Sequence, residues 1–241
     1  SLMLDNTPYD RKPKRGSEIE GISYRLNDST AHVTCEELID KVGRNGYSFC
    51  SSVVNDKRSL EHWAFQQVWA LDFDNKNPSK VYSFENFHEN CEQWDIMPLF
   101  TYETFSSTPQ LPRFRAVFLC DQIVTDIRVS RMISELLIRM FPSCDRQVTR
   151  NPIGILFGGN SLLHFNLLAR FNPMDILDEY EFYIKNKDSK NASANIRNLY
   201  KTLNIRDVGP VLALSNRNTY NIPENGRKYG NTDSSNNILG E

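Results

Sequence analysis

The chain has 241 residues, a formal net charge of −2, 39% hydrophobic residues and 24% charged residues. This composition is typical of an ordinary globular protein with one large domain, or a core with a small appendage. The near-neutral charge gives no global signal for nucleic-acid binding. No apolar run approaches the roughly 18 residues that a membrane span needs, so no membrane partner is expected.

The cysteines and the N-terminus indicate a location. No secretory signal peptide is visible. The five cysteines are odd in number and show no C-x-x-C spacing, which argues against a disulfide framework and a structural zinc site. This cysteine usage fits a reducing, cytoplasmic environment.

The N-terminal third begins with a polar stretch. Residues 1–30 carry several basic side chains and no clear period, which predicts an extended N-terminal arm. Thr34 and Glu37 form a capping box that predicts a short helix ending near Gly43. An extended segment at 47–54 and a mostly buried strand at about 66–74 follow.

The rest of the chain alternates strands and helices. We predict helices at 83–94, 125–141, 174–186 and 193–204, strands at 97–102, 113–120 and 153–157, and a tail from Ser215. The central elements then run β, α, β, β, α, β, which is the order of the ferredoxin-like split β-α-β arrangement. The predicted fold class is therefore α+β, with an RRM/ferredoxin-like core, an N-terminal α/β extension and a helical C-terminal segment. We divide the chain into an arm at 1–30, a core at 31–165 and a C-terminal segment and tail at 166–241.

Two carboxylates end the strand at 66–74. Asp72 and Asp74 flank Phe73, and residues i and i+2 of a strand share one face. Two carboxylates this close repel each other unless a cation lies between them. Mg²⁺ is commonly held by one or two carboxylates plus substrate phosphates. The motif therefore indicates a Mg²⁺ or Mn²⁺ site for phosphoryl or nucleotidyl transfer, or alternatively a solvated strand end with a capped turn.

Positive charge concentrates between residues 105 and 150, where seven arginines face four acidic residues. Arginine suits bidentate contacts with phosphate. Arg113 and Arg115 alternate with Phe114, so both can face the same side of a strand as a phosphate clamp. Exposed helix faces would account equally well for some of the other arginines.

Three stretches, in order, resemble the catalytic core of the archaeo-eukaryotic primase superfamily, and more closely the primase-like replication proteins of bacterial plasmids, phages and integrated elements. The resemblance covers roughly residues 35–165. It is carried by residues 70–75 (ALDFDN), by 102–107 (YETFSS) with 113–118 (RFRAVF), and by 141–145 (FPSCD) with 157–159 (FGG).

This resemblance implies roles for particular residues. Three carboxylates would bind the metal ions and four further residues the triphosphate of an NTP or dNTP: Asp72, Asp74 and Asp145 for Mg²⁺ or Mn²⁺, and Ser106, Ser107, Arg113 and Arg115 for the nucleotide. Two cations suit nucleotidyl transfer because they bridge the nucleophile and the leaving group. The implied function is primer synthesis or extension on a single-stranded DNA template, with a replicative helicase as partner.

Several alternatives stay open. Asp121 also ends an apolar strand and competes with Asp145 as third carboxylate, although it also suits a turn before the Thr125 cap. A metal-dependent nuclease or relaxase-like enzyme would need a nucleophilic tyrosine, such as Tyr82 or Tyr102, or a histidine cluster that the sequence lacks. A catalytically idle nucleic-acid-binding module would keep the fold without the chemistry.

Overall fold

The computed structural model describes residues 1–27 and 29–205, which form an α+β fold with two antiparallel sheets. This confirms the α+β part of the predicted fold class. The strands are β1 Leu2–Leu4, β2 Thr30–Ala31, β3 Phe49–Cys50, β4 Ser52–Val54, β5 Trp63–Asp74, β6 Phe100–Glu103, β7 Arg113–Val124 and β8 Ser161–Phe165. The helices are α1 Ser17–Asn27, α2 Cys35–Leu38, α3 Phe84–Gln93, α4 Ile127–Met140, α5 Arg146–Arg150, α6 Pro173–Lys187 and α7 Ala192–Thr202, with a π-helical turn at Ile39–Arg44 directly after α2.

The larger sheet has the order β4-β5-β7-β6-β8, and the two 12-residue strands β5 and β7 form its centre. Both strands are rich in aromatic and β-branched residues, which pack well on a pleated surface. Trp69, Leu71 and Phe73 of β5 alternate with Val68 and Ala70. The strands therefore bury apolar side chains on both faces of the sheet.

Each face of the large sheet has its own cover. The face that carries Trp69, Leu71 and Phe73 packs against α3, α4 and the C-terminal helices α6 and α7. The opposite face, with Val68 and Ala70, packs against β1, α2 and the π-helical turn. The smaller sheet, in the order β2-β1-β3, lies on this second side. The fold is thus a central sheet between two dissimilar layers.

The strand order differs from the complete ferredoxin-like arrangement. Strands β5 and β6, which α3 connects, each pair antiparallel with β7 between them. The position beside β5 is taken by the preceding strand β4, and the last strand β8 pairs with β6. The strand predicted at 153–157 is wrong, because only an isolated bridge between Leu156 and Phe49 forms there. Its apolar residues Ile153, Ile155 and Phe157 instead pack on a small cluster with Met3 and α1.

The N-terminal 30 residues are not an extended arm. Strand β1 is fully buried and pairs with both β2 and β3, and α1 buries Ile22 and Leu26, one turn apart. The carboxylate of Asp5 is buried and accepts hydrogen bonds from Arg25 at 2.6 and 2.8 Å. Three-residue strands and a helix with two buried side chains are too short to produce a visible hydrophobic period, so the sequence concealed them.

The predicted C-terminal helices are present as α6 and α7, and they bury Ile176, Leu177 and Leu199 in the core beneath the sheet. The predicted tail from Ser215 lies outside the described residues. All five cysteines lie within the described part and are free thiols. Among the described residues, no helix is long and apolar enough to span a membrane.

Candidate active site

The paired ends of β5 and β7 carry two facing carboxylate–arginine pairs. The register sets Asp72 opposite Arg115 and Asp74 opposite Arg113. Arg115 Nη2 lies 2.6 Å from Asp72 Oδ1, and Arg113 Nε lies 2.9 Å from Asp74 Oδ1. Because Phe73 and Phe114 occupy the other face and stack on each other, all four charged side chains project from one face of the sheet.

The inner pair is buried and elaborately bonded. The Arg115 side chain is 9% exposed, and its Nη1 donates to Tyr102 Oη at 3.1 Å and to the Phe157 carbonyl at 2.6 Å. Burial lowers the pKa of Arg115, but the interactions with Asp72 and Tyr102 together outweigh burial, so the pKa is raised above its ordinary value. For the Tyr102 hydroxyl, burial acts in the opposite direction and raises the pKa. The guanidinium therefore stays charged, and the phenol stays neutral and donates to the Phe157 carbonyl at 2.9 Å.

The loop at 157–159 is shaped by its two glycines. A Cβ on Gly159 would lie 2.2 Å from the Glu103 carbonyl oxygen, and one on Gly158 would lie 2.6 Å from the Tyr47 carbonyl oxygen. Only glycine permits such close approach of backbone to backbone. The loop can therefore lie directly on β6, which brings the Phe157 carbonyl to Arg115.

The outer pair is more exposed and lies at the rim. Asp74 and Arg113 are each 27% exposed, and Lys76 Nζ lies 3.4 Å from the second oxygen of Asp74. The buried Asn75 fixes the turn after β5, because its side chain bonds the Pro112 carbonyl and both backbone groups of Tyr82. The rim charges are therefore held at a defined strand end, although their side chains reach solvent.

Both pairs line one cavity of about 100 Å³. Its other lining residues come from four separate parts of the chain: Lys12, Phe73, Thr104, Phe105, Ser106, Phe157 and Gly158. The lining holds three cationic side chains against two carboxylates, a net charge of +1. Such a cavity attracts anions, and its serine and threonine hydroxyls can donate hydrogen bonds to them.

The two predicted serines differ in position. Ser106 lines the cavity. The Ser107 hydroxyl donates to Glu103 Oε1 and accepts from the Arg113 backbone N–H, both at 3.0 Å. Ser107 thus shapes the loop between β6 and β7 and is not part of the cavity lining, so its predicted nucleotide contact stays a prediction.

Asp145 is near the site through its backbone alone. Its N–H donates to the Asp72 carbonyl at 2.7 Å, but its carboxylate caps α5 by accepting from the N–H groups of Gln147 and Val148. Within the described residues no group of three or more His, Cys, Asp or Glu side chains could hold a metal ion. The three-carboxylate set is therefore not assembled here, and the metal role of Asp145 stays a prediction.

The alternative carboxylate Asp121 lies at the far end of β7. It is six residues beyond Arg115, or about 20 Å along an extended strand. Its side chain accepts a hydrogen bond from Asn172 at 2.9 Å. Asp121 therefore cannot complete the site at Asp72 and Asp74.

Sequence reasoning missed three contributors to the site. Lys12 lies in the predicted arm, Tyr102 lies in a predicted strand and is otherwise only a possible nucleophile, and Phe157 contributes through its carbonyl. A carbonyl contact leaves no side-chain signature. The glycine pair after Phe157 was the one available signal, because consecutive glycines after an apolar run mark close backbone approach.

Neither a known protein family nor a curated protein sequence matches this chain. Among solved structures, the chain is similar to the AEP domain of the primase-polymerase (PrimPol) of cyanophage S-2L. The similarity covers 62% of this chain and 77% of that one, at 12% sequence identity and a TM-score of 0.39.

Proposed function

We propose that this chain is a metal-dependent nucleotidyl transferase of the primase-polymerase type, which makes or extends primers on single-stranded DNA with NTPs or dNTPs. The observation that carries the proposal is the pair of facing contacts, Asp72 with Arg115 and Asp74 with Arg113, on one cavity wall. Carboxylates for a cation and arginines for phosphate are the two ingredients of polyphosphate chemistry.

The donor chemistry fits Mg²⁺ or Mn²⁺ that is shared with a substrate. Asp72 and Asp74 supply hard oxygen donors on one strand face, and among the described residues no hydrogen bond reaches Asp72 Oδ2. Magnesium is typically bound by one or two carboxylates, with phosphates and water completing its shell. Two carboxylates therefore suffice for a cation that is bound together with a triphosphate, and the positive cavity disfavours a bare cation.

The chain's own residues bind and orient the nucleotide. Arg113 is partly exposed at the rim, so it can turn from Asp74 toward phosphate oxygens. Arg115 is fixed by Tyr102 and the Phe157 carbonyl, so it contributes a stationary positive charge beneath them. Ser106 offers a hydroxyl on the same wall. When bound, the metal ions would polarise the phosphates and stabilise the leaving pyrophosphate.

The wider setting of the proposal is the replication of a mobile genetic element such as a plasmid or phage. The 3′-hydroxyl of a primer strand would attack the α-phosphate of the incoming nucleotide. A replicative helicase is the expected partner, because the small net charge of the chain indicates weak template binding on its own. Such a partner would keep the template single-stranded.

One observation favours a second candidate, a catalytically idle nucleic-acid-binding module. The Asp145 carboxylate is occupied as a helix cap, and both strand-end carboxylates already have arginine partners. A site whose charges are satisfied internally can be purely structural. No observation favours the nuclease alternative.

The deciding experiment is primer synthesis and extension on single-stranded DNA with Mn²⁺ and labelled nucleotides. We would compare wild type with Asp74→Asn, which removes a rim carboxylate, and with Asp121→Asn, a matched control at the far end of β7. We expect Asp74→Asn to lose about 100-fold or more in rate while Asp121→Asn stays near wild type.

The alternative has a distinct outcome. Equal activity of wild type and Asp74→Asn would place the chemistry elsewhere. An inactive wild type that binds single-stranded DNA, but neither Mn²⁺ nor nucleotide in calorimetry, would establish the idle module.

A further inference from the structure

Lys12 differs from the other cations around the active-site cavity. It is exposed, it lines the cavity beside Ser106 and the two arginines, and no ion pair or side-chain hydrogen bond of Lys12 occurs among the described residues. Arg113 and Arg115 each contact an aspartate, and Lys76 contacts Asp74. Lys12 therefore accounts for the net positive charge of the cavity.

Lys12 belongs to a loop at residues 5–16, the N-terminal loop, which is attached on both sides of it. Before Lys12, Tyr9 N–H donates to the Gly46 carbonyl at 3.3 Å, and Arg25 donates to Tyr9 Oη. The contact with Gly46 is tight, because a Cβ there would lie 1.9 Å from the Tyr9 carbonyl oxygen. Gly46 also has φ +72, which favours glycine.

The loop is also attached to the start of α1, through the residues on both sides of Lys12. Arg11 forms a two-point ion pair with Glu18 at 2.7 and 3.0 Å, and the Lys14 N–H donates to the same carboxylate at 2.6 Å. Pro13 between them is buried. The backbone on each side of Lys12 is thus fixed, while its side chain remains available.

We infer that Lys12 is a phosphate-binding residue, which the N-terminal loop brings to the cavity to contact the polyphosphate chain of the nucleotide. The inference rests on the proposed function and names a residue beyond the strand-end pairs. Lysine acts at phosphates as a compact point charge with three donors. Because the Lys12 ammonium has no ion-pair partner in the described part of the chain, whereas both arginines are paired, it favours ligands of higher negative charge and should discriminate triphosphates from monophosphates.

The test compares Lys12→Gln with Lys14→Gln, a control two residues away on the same loop that does not line the cavity. Dissociation constants for a nucleoside triphosphate and the matching monophosphate would be measured by calorimetry with Mg²⁺. We expect Lys12→Gln to weaken triphosphate binding about 10-fold, as for loss of a charge-assisted hydrogen bond, and monophosphate binding less. Lys14→Gln should bind both ligands like wild type.

The outcomes separate this inference from the proposed function. Wild-type binding that Lys12→Gln and Lys14→Gln affect equally would overturn the role of Lys12 and leave the proposed function standing. A uniform loss for both ligands in Lys12→Gln would also overturn it, because a merely structural role does not discriminate phosphate number. Failure of the wild type to bind any nucleotide would overturn both.

Discussion

The two ends of the β5–β7 strand pair solve the same physical problem differently. Each end buries a polar side chain on a central strand, Gln66 at the far end and Arg115 at the site end. The Gln66 amide is fully satisfied within the protein. Its oxygen accepts from Ser52 and Ser130 at 3.2 and 2.7 Å, and its nitrogen donates to Ser51 and the Val68 carbonyl.

At the site end, by comparison, the hydrogen bonding of the buried polar side chain is incomplete. Arg115 Nε is buried without a hydrogen-bond partner among the described residues, and its aspartate partner opens onto a cavity. A neutral, closed network such as that of Gln66 specifies packing. A charged network that borders a cavity retains the capacity to bind a ligand. The contrast teaches that burial of a polar group is not itself a functional signal, whereas charge next to a cavity is.

The largest expected effect comes from breaking the inner pair. Arg115→Met leaves the Asp72 carboxylate largely buried without its partner, which should reduce the free energy of unfolding by about 3–5 kcal/mol. Denaturant unfolding monitored by circular dichroism measures this. Combining it with Asp72→Asn in one chain should recover part of the loss, and a double variant as unstable as the sum of the singles would contradict the pairing.

A smaller effect is expected at the far end. Gln66→Leu removes the amide oxygen and nitrogen and leaves the buried hydroxyl of Ser130 without its acceptor. The free energy of unfolding should fall by about 1–3 kcal/mol. The same unfolding assay applies, together with calorimetric nucleotide binding by the folded variant. Because the residues of the Gln66 network do not line the active-site cavity, the nucleotide dissociation constant should stay unchanged. A large change in that constant would contradict the assignment of a purely structural role to the Gln66 end.

The smallest effect on stability is expected at the rim. Arg113→Met breaks a pair whose members are each 27% exposed, and exposed ion pairs contribute about 0–1 kcal/mol. Its unfolding midpoint should therefore lie near that of wild type. Its triphosphate affinity should nevertheless fall, since Arg113 can reach a ligand. Loss of stability comparable to Arg115→Met would show that the rim pair is structural too.

The local sequence pattern predicts the facing of side chains on the strands. The two-residue period placed Asp72 and Asp74 on one face, and it did the same for Arg113 and Arg115, as the structure has them. Capping signals located the helices after Thr34 and Ser83. These features depend on neighbours within a few residues, so a single sequence contains them.

The other features of the fold and of the site depend on pairing between distant parts of the chain. Nothing near Asp72 in the sequence encodes that Arg115 lies opposite it, since β5 and β7 find their register through packing across the whole sheet. The same holds for β8 beside β6 and for Lys12 at the cavity. At Asp145 the local sequence is ambiguous, because an aspartate before a short helix suits a helix cap and a metal ligand equally well.

The buried contact of Asp72 with Arg115 also constrains how this chain can vary over evolutionary time. Replacement of either residue alone by a neutral one leaves the charge of the other without its partner. Substitutions at the two positions therefore depend on each other. In an alignment of relatives they should change together, as contacting positions do, whereas the rim positions 74 and 113 should be freer to drift apart.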